Sequence, residues 1–173
     1  MSGVQYGPMH MSTTRNYEVQ RTNWFYVSIE LGIDGFDSND ITLAVESVSL
    51  PAISNDPIEL AYGNSKVKVA GQATFDDVSL TVKDFIEADI EMALMKWRKQ
   101  VYDPETDKMG WASQYKKDGT ITQYGPDGSC LRKWKLQGIW PTTLDLGEMN
   151  YDGGDKKTIT MTLSVDKANI VTR

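Results

Sequence analysis

From Asn23 the chain alternates between apolar and polar residues. Phe25, Val27, Ile29 and Leu31 fall on one face, and Trp24, Tyr26, Ser28 and Glu30 on the other. That two-residue period predicts a strand with one face in a core. Asp34-Gly35 closes it with a turn signal. Thr42 to Leu50 reads as a second strand, stopped by Pro51. Residues 51–64 hold two prolines, Asn55, Asp56, Gly63 and Asn64, so they read mostly as loop. Within them Ile58, Leu60 and Tyr62 alternate as a short strand. Ser65 to Ala70 sets Val67 and Val69 against Lys66 and Lys68. Thr74 to Lys83 continues with Val78, Leu80 and Val82 against Asp77, Ser79 and Thr81.

Then the period changes. Asp84 with Glu87 fits a capping box. Ile90, Leu94, Trp97 and Val101 follow as one helical stripe. Acids near its start and Lys96, Arg98 and Lys99 near its end complement the helix dipole. This predicts a helix over about 85–101, ended before Asp103-Pro104. Residues 102–120 read as a long polar loop containing Trp111 and Tyr115. Thr120–Tyr124 is a short strand, followed by the turn Pro126-Asp127-Gly128. Cys130 to Gln137 is a strand broken by Gly138-Ile139-Trp140-Pro141. Lys157 to Asp166 alternates most cleanly: Ile159, Met161, Leu163 and Val165 against Thr158, Thr160, Thr162 and Ser164. One flanking helix among about seven strands predicts a mainly β sandwich or barrel. Residues 1–21 show no periodicity and read as an N-terminal arm, with residues 22–173 as the β domain.

Composition narrows the function. The 173 residues fit one domain. Eighteen Lys+Arg against 24 Asp+Glu leave a net charge of −6, which argues against a protein that grips nucleic acid or an anionic membrane. The excess lies wholly in residues 1–86, with 11 acids and 5 bases. No signal peptide and no bilayer-length apolar run are visible. One cysteine, Cys130, and one histidine, His10, exclude an intrachain disulfide and a His/Cys metal cluster from a single chain.

Catalytic chemistry is sparse. No phosphate-cradling glycine loop, nucleophile elbow or zinc-protease motif is present. A triad would have to use His10, in the arm. Asp76 and Asp77, neighbours on a strand, point to opposite faces. Glu87 and Glu91 lie on the solvent face of the helix. Asp34, Asp37 and Asp40 lack the full calcium-loop pattern. No enzyme, cofactor or metal site is expected. The aromatic residues say more. Trp97 and Trp134 suit a core. Trp24, Tyr26, Trp111 and Tyr115 lie at segment edges or in the long loop, where amphipathic rings suit subunit interfaces or a carbohydrate-binding platform. A sheet this large also has edges, which closure across neighbouring subunits removes.

The order of these signals resembles a family. Ser47-Val-Ser-Leu-Pro51, Ile58-Glu-Leu-Ala-Tyr62 and Lys66-Val-Lys-Val-Ala-Gly71 carry the first part of the likeness. Met95-Lys-Trp-Arg98, Val101-Tyr-Asp-Pro104, Tyr124-Gly-Pro-Asp-Gly128, Trp134-Lys-Leu136 and Gly138-Ile-Trp-Pro141 carry the second. Leu146-Gly-Glu148, Tyr151 and the last alternating strand complete it. The chain resembles the tail tube proteins of contractile-tailed, T-even-like bacteriophages, related in fold to type VI secretion tubes. The resemblance implies homohexameric rings stacked head to tail into a hollow conduit for DNA ejection, with strands closing a ring-wide barrel. It implies a virion location and, as partners, the tail sheath, baseplate and tail terminator proteins, with genomic DNA passing unbound and no membrane. Another contractile injection system is the alternative setting. On this reading part of the acid excess faces the bore, with Glu46, Asp76 and Asp77 as candidates. Loops 51–64 and 102–120, with Trp24, Tyr26, Tyr62, Trp111 and Tyr115, are candidates for contacts between subunits.

Overall fold

The structure, a computed structural model, describes residues 19–172. The expected arm, with His10, lies almost wholly outside the described residues. In chain order the elements are β1 (Phe25–Ile29), α1 (Ser38–Ala44), β2 (Val45–Val48), β3 (Ile53–Tyr62), β4 (Ser65–Phe75), β5 (Val78–Lys83), α2 (Ile90–Val101), β6 (Tyr102–Asp103), β7 (Lys108–Met109), α3 (Ala112–Tyr115), β8 (Lys117–Tyr124), β9 (Cys130–Asp145), β10 (Thr158–Ser164) and β11 (Lys167–Thr172).

The architecture turns on β9, a strand of 16 residues. Its first half pairs with β8 and β11, and its second half with β10. One strand therefore serves two sheets. The first runs β1-β8-β9 with β11 beside β9; the second runs β9-β10-β5-β2, all antiparallel. Gly138 makes the corner with a positive φ of 65°, the left-handed region that glycine enters without a Cβ penalty. Its N–H donates to Asp118 Oδ1 at 3.2 Å, and Asp166 stands against its Cα.

The predicted alternation decides what is inside. Val27, Ile29, Ile121, Leu136 and Ile139 of the first sheet face Val78, Leu80, Val82, Ile159, Met161 and Leu163 of the second. Each such side chain contributes about 1.5–3 kcal/mol on burial. Helix α2 closes this core with Ile90, Ala93, Leu94, Trp97 and Val101. The Trp97 indole N–H donates to the Tyr115 carbonyl at 2.8 Å, so the most buried tryptophan is also satisfied.

Several expectations give way. Thr42–Ala44 are helical: Asp37 caps α1 by accepting from the Asn39 N–H at 2.9 Å, and only Val45–Val48 are strand. There are thus three helices among the described residues. Residues 51–64 are not mostly loop, for Ile53–Tyr62 extend as β3 and pair with β4. The main helix begins at Ile90, after a turn over 86–89, with Asp89 as its cap. Asp84 still reaches it, accepting from the Glu91 N–H at 3.3 Å. Residues 102–120 fold into β6, β7, α3 and the start of β8. Gly110 presses against the Gln100 carbonyl, closer than any side chain would allow. The break expected at 138–141 is a corner that β9 passes through unbroken, and β11 lies beyond the last predicted strand.

Candidate assembly and bore surfaces

The outer face of the second sheet is built by the polar half of the alternation. Its register aligns Ser47, Thr81, Thr160 and Asp145 in one row across four strands. Ser79, Thr162 and Thr143 form the next. Lys83 pairs with Thr158 at the margin. These rows are hydroxyl-rich, with Asp145 at the β9 end and Lys83 at the margin as their charged residues. The signal was present in the sequence as Ser79, Thr81, Thr158, Thr160 and Thr162, which alternation labels only as solvent-facing.

Among the described residues the two ends of the strand path stay open. Edge strands β1 and β2 do not pair with each other. A cleft of about 440 Å³ separates them, lined by Phe25, Glu46, Val48, Leu50, Ile121 and Gln123 among others. Exposed edges offer unpaired backbone groups to another chain.

The hairpin β3–β4 projects from this body. All but two of its residues are exposed. Ile58 pairs with Val69 and Leu60 with Val67, so these four apolar side chains share one face. Glu59 pairs with Lys68 and also bonds Lys66 at 2.7 Å on the other face. Gly63, at φ 60°, makes the tip beside Tyr62. A two-stranded hairpin alone is marginal in water, and no other described residue covers the apolar face of this one.

The candidate residues scatter. Glu46 sits in a bulge of β2 and pairs with Lys156, leaving its Oε2 without a partner. The hydrogen bond from Lys156 holds the Glu46 carboxyl below its ordinary value. Asp76 and Asp77 are not on a strand; they form the exposed link between β4 and β5, where the Asp76 N–H donates to the Ala52 carbonyl at 2.9 Å. Glu91 is not on a solvent face either. With Asp84 it grips Lys157, whose pKa is raised chiefly by the hydrogen bond to Glu91. Tyr26, Tyr62 and Trp111 are exposed, on the edge strand, the hairpin tip and the start of α3. Tyr115 is engaged within the chain, edge-on to Trp140 with centroids 5.7 Å apart. Trp24 lies half-buried beneath the Arg21 guanidinium, 5.0 Å from its ring centroid. Asp37 caps α1, its carboxylate accepting from the Asn39 N–H. Among the described residues no cluster of metal-ligating side chains occurs, and no helix is long and apolar enough to cross a membrane.

The family model of the T4-like virus tail tube protein gp19 matches residues 21–169. The chain belongs to this tail tube family. Tail tube protein gp19 of Enterobacteria phage T4 is 27% identical over 149 residues, 84% of this chain and 88% of the phage protein. In a solved structure, the sheath–tube complex of an extracellular contractile injection system in its extended state, one chain superposes with a TM-score of 0.69. It shares 22% identity and covers 95% of this chain and 100% of that one. A chain of the sheath/tube terminator from the same kind of system gives 0.68 at 23% identity, over 91% and 99%. The fold class is therefore that of tail tubes. The protein is a structural subunit of a tail tube and a component of the virion tail.

Proposed function

We propose that six copies of this tail tube protein close into a ring, and that rings stack into a conduit through which DNA leaves the virion. The single observation that carries this reading is the hydroxyl face of the second sheet. Retaining a polyanion needs lysines and arginines that displace its counterions. Ser79, Thr81, Thr143, Thr160 and Thr162 supply none, while their hydroxyls are able to hydrogen-bond water. Such a lining lets DNA slide without holding it. The open edges at β1 and β2 then pair with neighbouring subunits, completing a barrel around the bore.

This shifts the expectation for the acids. Glu46 is neutralised by Lys156 and adds little net charge to a bore. Asp76 and Asp77 stand at the end of the hydroxyl face, where they would ring the mouth of each disc. Tyr26, Tyr62 and Trp111 are the aromatic contacts that remain available between subunits. The sheath would surround the tube, with the terminator and baseplate at its two ends.

A reagent-size test separates bore from exterior. Thr160→Cys is made in a Cys130→Ser background and assembled into tubes. A small maleimide is expected to label free and assembled protein alike. A maleimide carried on a bulky polymer is expected to label only free protein and tube ends. Equal labelling of assembled tubes by both reagents refutes the placement of this face in the bore.

A further inference from the structure

Two oxygens in the cleft between edge strands β1 and β2 have nothing to receive. Glu46 and Gln123 both line this cleft. Glu46 Oε2 and Gln123 Oε1 are shut off from solvent, and neither has a hydrogen-bond partner among the described residues. An acceptor buried without a donor loses its hydration and gains nothing in return. Lys156 is spent on the other Glu46 oxygen, and no lysine or arginine lines the cleft. The rest of the wall is largely apolar, with Phe25, Val48, Leu50 and Ile121. Two bare acceptors, one of them on a carboxylate, in a space of about 440 Å³ suit one cationic donor with an apolar neighbour. A guanidinium fits best, because its planar fork of five N–H groups serves both oxygens at once.

The chain itself leads such a group to the opening. The described residues begin at Val19. A second hollow of about 190 Å³, lined by Gln20, Arg21 and Trp24, shares Thr22, Phe25 and Gln123 with the cleft. The path from the start of the described chain into the cleft is therefore continuous. Arg21 is engaged elsewhere, over the Trp24 ring. Residues 1–18 hold a single Lys or Arg, which is Arg15. Seven residues lie between its position and Thr22 at the cleft, a reach of roughly 23 Å when extended. The family match begins only at residue 21, so this segment is outside the part that the chain shares with the family model.

We infer that the β1–β2 cleft is a docking site for the chain's own N-terminal arm, with the Arg15 guanidinium donating to Glu46 Oε2 and Gln123 Oε1. Met11 and Tyr17 flank Arg15 with the apolar surface that Phe25, Val48 and Leu50 call for. The docked arm covers the open end of the sandwich between the two edge strands.

Trypsin tests this on the full chain, dilute and dispersed. Cleavage after Arg15 is followed by mass spectrometry against a synthetic peptide of residues 8–21 in the same tube. Wild-type protein is expected to be cut there about tenfold more slowly than the peptide, the scale of one charge-assisted bond. Glu46→Gln and Gln123→Leu, each with circular dichroism retained, are expected to recover most of that rate. Lys156→Met removes only the partner of the other Glu46 oxygen and is expected to keep the protection. Wild type cut as fast as the peptide overturns the inference, as does protection that survives in both cleft variants. Protection that grows with protein concentration would come from another copy's arm and overturns the assignment to the same chain.

Discussion

Replacing Gly138 with alanine puts a methyl group where Asp166 already stands. An ideal Cβ at this position lies 2.2 Å from Asp166 Oδ2, 2.7 Å from its Cγ and 3.1 Å from its Cβ. Rotating the carboxylate away relieves the first two contacts but not the third. The move also breaks the bond that Asp166 accepts from Lys116 Nζ at 2.6 Å. That pair is partly exposed, so its loss costs about 0–1 kcal/mol. The φ of 65° adds about 1–2 kcal/mol for any residue with a Cβ. Together these predict a loss of about 2–3 kcal/mol, or about 5–10 °C in the thermal midpoint of a domain this size. Gly138→Ala, Asp166→Ala and the double variant form a cycle that urea unfolding can read. Asp166→Ala removes the two closest contacts and leaves only the one at 3.1 Å, so the double variant should recover about 1 kcal/mol relative to the sum of the singles. Additive losses would refute the steric account and leave only backbone strain. Because β9 links both sheets at this corner, tubes from Gly138→Ala should also be fewer or irregular.

Trp97→Phe keeps an aromatic ring but leaves the Tyr115 carbonyl without its indole donor, so urea unfolding should show a loss of about 1–3 kcal/mol; a loss under about 0.5 kcal/mol would argue that water or another donor replaces the bond. Gly110→Ala drives a Cβ to 1.9 Å from the Gln100 carbonyl and should detach the β6–β7 ribbon from the end of α2. Faster amide exchange confined to about 100–110 would support this, and unchanged exchange would count against it. Glu46 has a folded pKa below its ordinary value through Lys156, so its contribution is full above the unfolded carboxyl pKa and lost as pH falls through the folded one. The urea midpoints of wild type and Glu46→Gln should therefore differ near neutrality and converge in acid; a gap that persists in strong acid would show that the ion pair is not its cause.

The core strands were readable because alternation is local. Val27 and Ile29, Val78 to Val82, and Ile159 to Leu163 are buried as the two-residue period requires. Trp97 was legible from helical spacing for the same reason. The hairpin was half legible. Ile58, Leu60 and Tyr62 alternate, but Pro57 and Asn55 made the segment look like loop. Pro57 lies beside a register shift in the β3–β4 ladder, which accommodates its missing N–H. The 42–44 stretch went the other way: Thr42 and Leu43 suit strands, and the Asp37 cap settles the segment as helix. Of the candidate contacts, Trp111 and Tyr62 are exposed as an interface would need, while Tyr115 packs on Trp140, a partner far away in sequence.

The negative charge argues against DNA as a ligand, and the proposed conduit gives that argument a more particular form. The sequence by itself determined which side chains face a core, where the main helix runs, and that cysteine and histidine chemistry is nearly absent. Each follows from residue type or from neighbours within a few positions. Only the tertiary structure decided that β9 serves two sheets, that Glu46 is spent on Lys156, and that the hydroxyls of four strands align into one face. Those depend on register between segments up to 110 residues apart. Periodicity says which way a side chain points; only pairing says what stands beside it.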